Sequence, residues 1–181
     1  MHDGFGGRVL LLGESASLGT AREMLLGQCL TVQQVVDPAA GLAALDDVPA
    51  DLLIVDDSAA VDAAELCREV RAQLGLAEVQ VLALVPKGVR SRVRELLAAG
   101  ADDWLGTPFE QPTLLARVTA GLRAAQVAAC EAQLRALMAV VPGAVYRCAF
   151  DAHWTMQVIG DEIASITGYP ASDFVNNACR S

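Results

Sequence analysis

The sequence predicts a three-layer α/β sandwich, a parallel five-stranded sheet with helices on both faces. Three observations carry that expectation. Five short apolar runs alternate with segments of helical period, an order that brings each strand back into one sheet through right-handed crossovers. Three of the runs are nearly continuous in Val, Leu and Ile, as strands covered on both faces require. The 181 residues are 54% hydrophobic but only 4% aromatic, which suits Ala-, Val- and Leu-rich helices packed on a buried sheet.

The strands are expected at RVLLL (8–12), TVQQVV (31–36), DLLIVD (51–56), QVLALV (80–85) and DWLGT (103–107). After the second strand the Ala-rich AAGLAAL (39–45) gives a short helix. After the third, Ala63, Leu66, Cys67, Val70 and Leu74 fall on one helical stripe. After the fourth, Val89, Val93, Leu96 and Leu97 do the same, and Gly100 ends the helix. In an open sheet of this kind the functional crevice lies beyond the carboxyl ends of the strands. The residues there are Gly13 and Glu14, Asp56 and Asp57, Val85, and Thr107.

From Gln111 onward the pattern changes. Pro112 suits a first helical turn and no further breaker stands before Pro142, so one long helix is expected over 111–141. Leu115, Val118, Leu122 and Ala125 form one apolar phase. Val127, Cys130, Leu134, Leu137 and Val141 form a second with the same alternating steps of three and four, which resembles a coiled-coil seam. Its second half, 126–141, reads as a connector and a contact between two copies in a homodimer; two shorter helices with a linker between them are the alternative. Past Pro142-Gly143, AVYRCAF (144–150) and TMQVI (155–159) read as a hairpin around the turn DAHW. DEIASITG (161–168) gives a short helix ended by Gly168, and YPASDF (169–174) begins another helical turn. A hairpin with two short helices buries little surface, so residues 142–181 read as part of a larger domain.

Charge and cysteine usage set bounds on chemistry. The net charge of −9, from 22 acidic and 13 basic residues, argues against nonspecific nucleic-acid binding and against an anionic membrane surface. No nucleic acid and no membrane are therefore expected as partners. The five cysteines are scattered, with no CxxC pair and no histidine at metal-ligand spacing, so zinc is not expected and reduced thiols in the cytoplasm are. No signal peptide is read in MHDGFGG, and no apolar run reaches bilayer length. GESASLGT (13–20) has neither the glycine spacing nor the lysine of a phosphate-binding loop. Arg90, Arg92 and Arg94 read as a solvated helix face, with partner docking as the sharper alternative. His2 and His153 have no neighbours in the pattern that suggest catalysis.

The strand plan, DLLIVD and above all GADDWLGTPF (100–109) closely resemble the receiver domain of two-component response regulators, over residues 8–125 after a flexible 1–7. The resemblance implies a flavodoxin-like (βα)5 fold with sheet order 2-1-3-4-5, and a phosphate-accepting aspartate at the end of strand 3, where Asp56 stands. It also implies a pair of acids after strand 1 that hold Mg²⁺, a hydroxyl after strand 4, and a lysine after strand 5. This sequence departs at each of those partners. Gly13 and Glu14 occupy the acidic pair, Val85 the hydroxyl position and Thr107 the lysine position. Asp56 remains, with Asp57 beside it; Glu14 and Asp57 are expected to complete an acidic pocket, and Glu14 with Asp56 to be what is left of the Mg²⁺ site.

The expectation is a degenerate receiver with no catalytic residue and no cofactor of its own. Its expected partners are proteins, a sensor kinase or its own output domains. Residues 142–181 resemble the opening of a PAS sensory domain, through PGAVYRCAFDAHWTM and DEIASITGYPASDF. Trp154 and Tyr169 are expected to pack rather than to touch a cofactor. Receiver–PAS architectures continue, by family habit, into diguanylate cyclase, phosphodiesterase or histidine kinase outputs. Three other readings compete: a receiver still phosphorylated on Asp56 with Mg²⁺, a flavodoxin-like enzyme using Asp56 or Asp57 as nucleophile, and a small-ligand binder in the same crevice, for which Val85 and Thr107 make a less charged pocket.

Overall fold

The computed structural model describes residues 6–48, 50–58, 61–73, 76, 78–140 and 143–178. Leu74, Val141, Pro142 and His2, which figure in the expectations above, lie outside the described residues. The elements run β1 (Gly7–Leu12), α1 (Ala16–Leu26), β2 (Leu30–Val35), α2 (Pro38–Asp47), β3 (Leu52–Asp56), α3 (Ala63–Ala72), β4 (Gln80–Pro86), α4 (Arg90–Ala98), β5 (Asp103–Thr107) and α5 (Gln111–Val140). They are followed by β6 (Tyr146–Cys148), β7 (Met156–Ile159) and α6 (Ile163–Thr167). The chain divides into two units, Met1–Ala129 and Cys130–Ser181, and α5 runs from one into the other.

In the first unit β1 to β5 form a parallel sheet in the order 2-1-3-4-5, the flavodoxin-like α/β fold that was expected. Polar side chains start the helices where the chain leaves the sheet. Ser15 Oγ accepts from the Leu18 N–H (3.1 Å), Asp37 from Ala40 (2.8 Å) and Asp62 from Ala64 (3.0 Å), so each satisfies an N–H with no partner inside its helix.

Alternation along the strands sends neighbouring residues to opposite faces of the sheet. Val9, Leu11, Leu52, Ile54, Leu82, Leu84 and Leu105 pack with α1 and α5. Leu10, Leu12, Leu53, Val55, Val81, Ala83 and Val85 pack with α2, α3 and α4.

Two helical stripes differ in detail from the sequence pattern. On α4, Leu96 is fully buried and Val93 packs beside it, but Val89 and Leu97 are exposed. Val89 is the cap residue, and Leu97 is turned away from the sheet by its place next to Leu96. On α5 the buried line is Leu114, Val118, Leu122 and Ala125, with Leu115 at its margin. Steps of four from Val118 follow the helix more closely than a step of three to Leu115. Further along, Val127, Leu134 and Leu137 are 60%, 58% and 63% exposed.

Gly100 follows α4 at φ +108°, and the space over it is filled by Arg71. That side chain donates from Nε to the Gly100 carbonyl (3.0 Å), from Nη1 to the Val79 carbonyl (2.7 Å) and from Nη2 to Asp102 (2.5 Å). A Cβ on Gly100 would stand 2.6 Å from Arg71 Cγ, so glycine is needed for both backbone and space. The Thr107–Pro108 peptide is cis.

In the second unit β6 and β7 pair antiparallel. The turn between them is organised by Asp151, whose carboxylate accepts from the N–H groups of His153 and Thr155 (both 3.0 Å). Asn177 ties the later turn to the hairpin, accepting from the Met156 N–H (3.1 Å) and donating to the His153 carbonyl (3.1 Å). Phe150 and Trp154 meet edge to face at 5.8 Å, but both remain exposed, as does Tyr169. None of the described residues of this unit is buried. Among the described residues no helix is long and apolar enough to cross a membrane.

Candidate functional site

The strand order reverses between β1 and β3, and the crevice at the carboxyl ends of those strands is where this fold places its chemistry. Asp56 closes β3 there. It is level with Leu84 and, across β4, with Leu105, and it belongs to the face of Leu52 and Ile54, under α1 and α5. At 7% exposure it is the one buried charged residue among those described. Burial pushes its carboxyl above the ordinary range, a hydrogen bond from Ser15 pulls it back, and the nearby Asp57 adds a further upward push.

Ser15 was not singled out by the sequence pattern. It faces both ways, accepting the Leu18 N–H of α1 and engaging Asp56. The available signal was its position three residues past the end of β1, where serine favours a helix cap.

Gly13 lies opposite. Its φ is +119°, its N–H donates to the Val35 carbonyl (2.9 Å), and its own carbonyl accepts from Gln34 Nε2 (2.9 Å). A Cβ at Gly13 would point toward the Asp56 side chain, 3.7 Å from its Cβ, and would meet Leu18 Cδ1 at 2.9 Å. Glu14 is exposed. Among the described residues no three His, Cys, Asp or Glu side chains gather as a metal site.

Asp57 does not join Asp56. The expected acidic pocket of Glu14, Asp56 and Asp57 is corrected by the alternation of the strand, which sends Asp57 to the α3 and α4 face. There Arg92 takes it in a fork, donating from Nε to Oδ2 (2.7 Å) and from Nη2 to Oδ1 (2.6 Å). Arg92 also reaches Asp62 (2.7 Å) and Glu95 (2.8 Å), and these carboxylates, Asp57 first, hold its guanidinium firmly charged. The reading of all three α4 arginines as a solvated face is thus corrected for Arg92, which is partly buried. Arg90 and Arg94 are exposed.

Val85 is fully buried among the α3 and α4 face residues and offers no polar atom. Thr107 ends β5 on the face of Leu105, the same face as Asp56. The chain's one lysine, Lys87, stands two residues past Val85 and its N–H donates to the Thr107 carbonyl (3.3 Å). Its stem lies over Gly106, on the opposite face, with Cγ 3.1 Å from where a Cβ would be. It does not replace an ammonium beside Asp56. The crevice therefore holds a buried carboxylate answered by a hydroxyl, with the nearby Asp57 turned to Arg92 on the other face and no cation next to Asp56 among the described contacts.

No protein-family model matches the chain. The chain is 40% identical over 77 residues to the phosphate regulon transcriptional regulatory protein PhoB of Rhizobium meliloti, covering 42% of this chain and 34% of that protein. It is 30% identical over 118 residues to the DNA-binding response regulator MtrA of Mycobacterium tuberculosis, covering 64% of this chain and 50% of that one. Its structure is similar to that of the chemotaxis response regulator CheY4 of Vibrio cholerae, with a TM-score of 0.58 and 25% identity over 64% of this chain and 98% of that one.

This chain spans half or less of the length of the two curated relatives. The expectation of no nucleic-acid partner is overturned by them, since MtrA is DNA-binding by name and PhoB is a transcriptional regulator. A net charge of −9 describes these 181 residues and does not speak for the remaining length of such proteins. By fold and by likeness of sequence, the first unit is similar to the receiver domains of response regulators.

Proposed function

We propose that this receiver domain is degenerate, a regulatory module that works through protein contacts and does not run phosphorylation on Asp56. The observation that carries the reading is what surrounds Asp56. Where the resemblance calls for an acid, a hydroxyl and an ammonium, the chain has Gly13 at φ +119°, the fully buried Val85, and Thr107. Transfer of a phosphoryl group depends on fixed charges and donors around its oxygens, and loss of one such donor costs about 3–4 kcal/mol of barrier. Both the cation and half of the acidic pair are missing here.

The apolar seam on α5 supports a second part of the reading. Val127, Cys130, Leu134 and Leu137 repeat at steps of three and four and are exposed, the pattern of a seam closed by a second copy. α5 then connects the receiver to a unit that we read as the opening of a PAS fold. The β6–β7 hairpin, α6 ended by Gly168 at φ +78°, and the exposed Tyr146, Phe150 and Ile166 support that assignment.

The test is incubation of the full chain with acetyl phosphate and Mg²⁺, followed by intact mass measurement beside Asp56→Asn. The expected result is no phosphoryl adduct on either protein. An adduct on the wild type that Asp56→Asn abolishes would establish an active receiver and remove the proposal.

A further inference from the structure

Arg92, in the first turn of α4, holds carboxylates from three places in the chain. Asp57 directly follows β3, Asp62 is the cap of α3, and Glu95 lies one turn along α4. One guanidinium thus joins the end of β3, the start of α3 and the start of α4. Little else fastens α4 at that end. Its cap residue Val89 supplies no side-chain hydrogen bond, and no acid stands in its first turn. Beside the network is a cleft of about 360 Å³, lined by Val85, Pro86, Val89 and Ser91 together with Asp57, Arg92 and Glu95. The helix start is therefore held by this ion-pair network beside an open cleft, with Val93 packing against the core.

We infer that Arg92 is a positioning residue that makes the segment after β3 and helix α4 move as one. Val85, which lines the same cleft, has no polar side-chain atom with which to link them. Asp57 is bonded to Asp56 through one peptide, so displacement of the Asp56 backbone reaches α4 through the Asp57–Arg92 fork. The planar guanidinium is suited to this task because it grips both oxygens of Asp57 and still reaches Asp62. A lysine ammonium is a point donor and cannot hold that geometry. The inference rests on the receiver reading for what it would transmit, and the linkage itself is read from the contacts.

The experiment is hydrogen–deuterium exchange on the full chain, comparing wild type with R92Q, R92K, D57N, the double variant D57N/R92Q, and R94Q as a control on the exposed side of α4. R92Q and D57N are each expected to speed exchange in α4 and at Asp57–Ser58 roughly tenfold, leaving β1 and β4 at wild-type protection. The double variant should exchange no faster than the singles, R92K should recover only part of the protection, and R94Q should change nothing. Unchanged α4 exchange in R92Q would overturn the inference. So would single effects that add in the double variant, because residues acting through one another do not add. A uniform rise through every strand would reduce Arg92 to a general stabiliser and overturn it as well. Phosphorylation of Asp56 would sink the degenerate-receiver proposal without touching this outcome, and unchanged exchange would sink the linkage without reviving Asp56.

Discussion

Replacing Gly13 with aspartate restores the missing acid on paper, and the structure predicts that it costs stability instead of rebuilding a metal site. The residue sits at φ +119°. A non-glycine residue held in such a conformation costs about 1–3 kcal/mol. The new Cβ would stand 2.9 Å from Leu18 Cδ1, and Leu18 is fully buried, so the side chain has nowhere to retreat. Crowding a packed core adds about 1–3 kcal/mol. Relaxing the loop would break the Gly13 hydrogen bonds to Val35 and Gln34, both 2.9 Å. The sum is about 2–6 kcal/mol. At about 3 °C per kcal/mol for a chain of this size, the melting temperature should fall by about 6 °C or more. Thermal melts of wild type, Gly13→Ala and Gly13→Asp, each with and without Mg²⁺, measure it. Gly13→Ala separates the backbone and Cβ cost from the added charge. A Gly13→Asp protein that melts with the wild type, or that gains stability with Mg²⁺, refutes the reasoning that an acid here strains the backbone and crowds Leu18 without rebuilding a metal site.

Three further outcomes are expected. Burial raises the Asp56 carboxyl above its usual 3.8, so the folded state holds that proton more tightly and loses stability as pH climbs from about 3.8 through the raised value. Asp56→Asn should therefore melt higher than wild type at neutral pH, with the advantage vanishing in acid; melts across that range give the sign directly. Gly100→Ala combines strain at φ +108° with a collision against Arg71, and urea unfolding should show a loss of about 2–4 kcal/mol. Cys67 is buried and its thiol is pushed up to about 11, whereas Cys29 and Cys130 are exposed. A thiol reagent near pH 8 should modify the exposed pair quickly and Cys67 only after denaturant is added; rapid labelling of Cys67 in the folded protein would contradict its burial.

The frame was legible in the sequence because it is written in short-range periodicity. Short runs such as DLLIVD, continuous in Leu, Ile and Val, read as strands covered on both faces, and Gly100 and Pro108 mark where a helix stops and a strand turns. What periodicity cannot supply is partner choice across the sheet. Asp56 and Asp57 are adjacent in sequence and looked like one acidic pocket, but the two-residue repeat of a strand separates them onto opposite faces. Arg92 looked like one of three equivalent surface cations. Its role depends on residues 35 and 30 positions away, a separation that no local pattern encodes. Ser15 was hidden for a related reason: its capping role is local, while its contact with Asp56 crosses from one strand end to another. The α5 phase was misread by one residue, Leu115 for Leu114, because steps of three and four are both compatible with a helix until the sheet selects a face.

Lys87 has a practical consequence. Apart from the chain terminus, it carries the only primary amine in the 181 residues, on the exposed turn between β4 and α4 with its stem over Gly106 and close to Trp104. The wild-type chain therefore comes with a single addressable position on that surface. An amine-directed reagent reports on this turn alone, once the terminal amine is blocked, so a fluorophore or cross-linker can be placed without any substitution. Any binder that covers the turn should slow acylation of Lys87, and the footprint is read from one peptide.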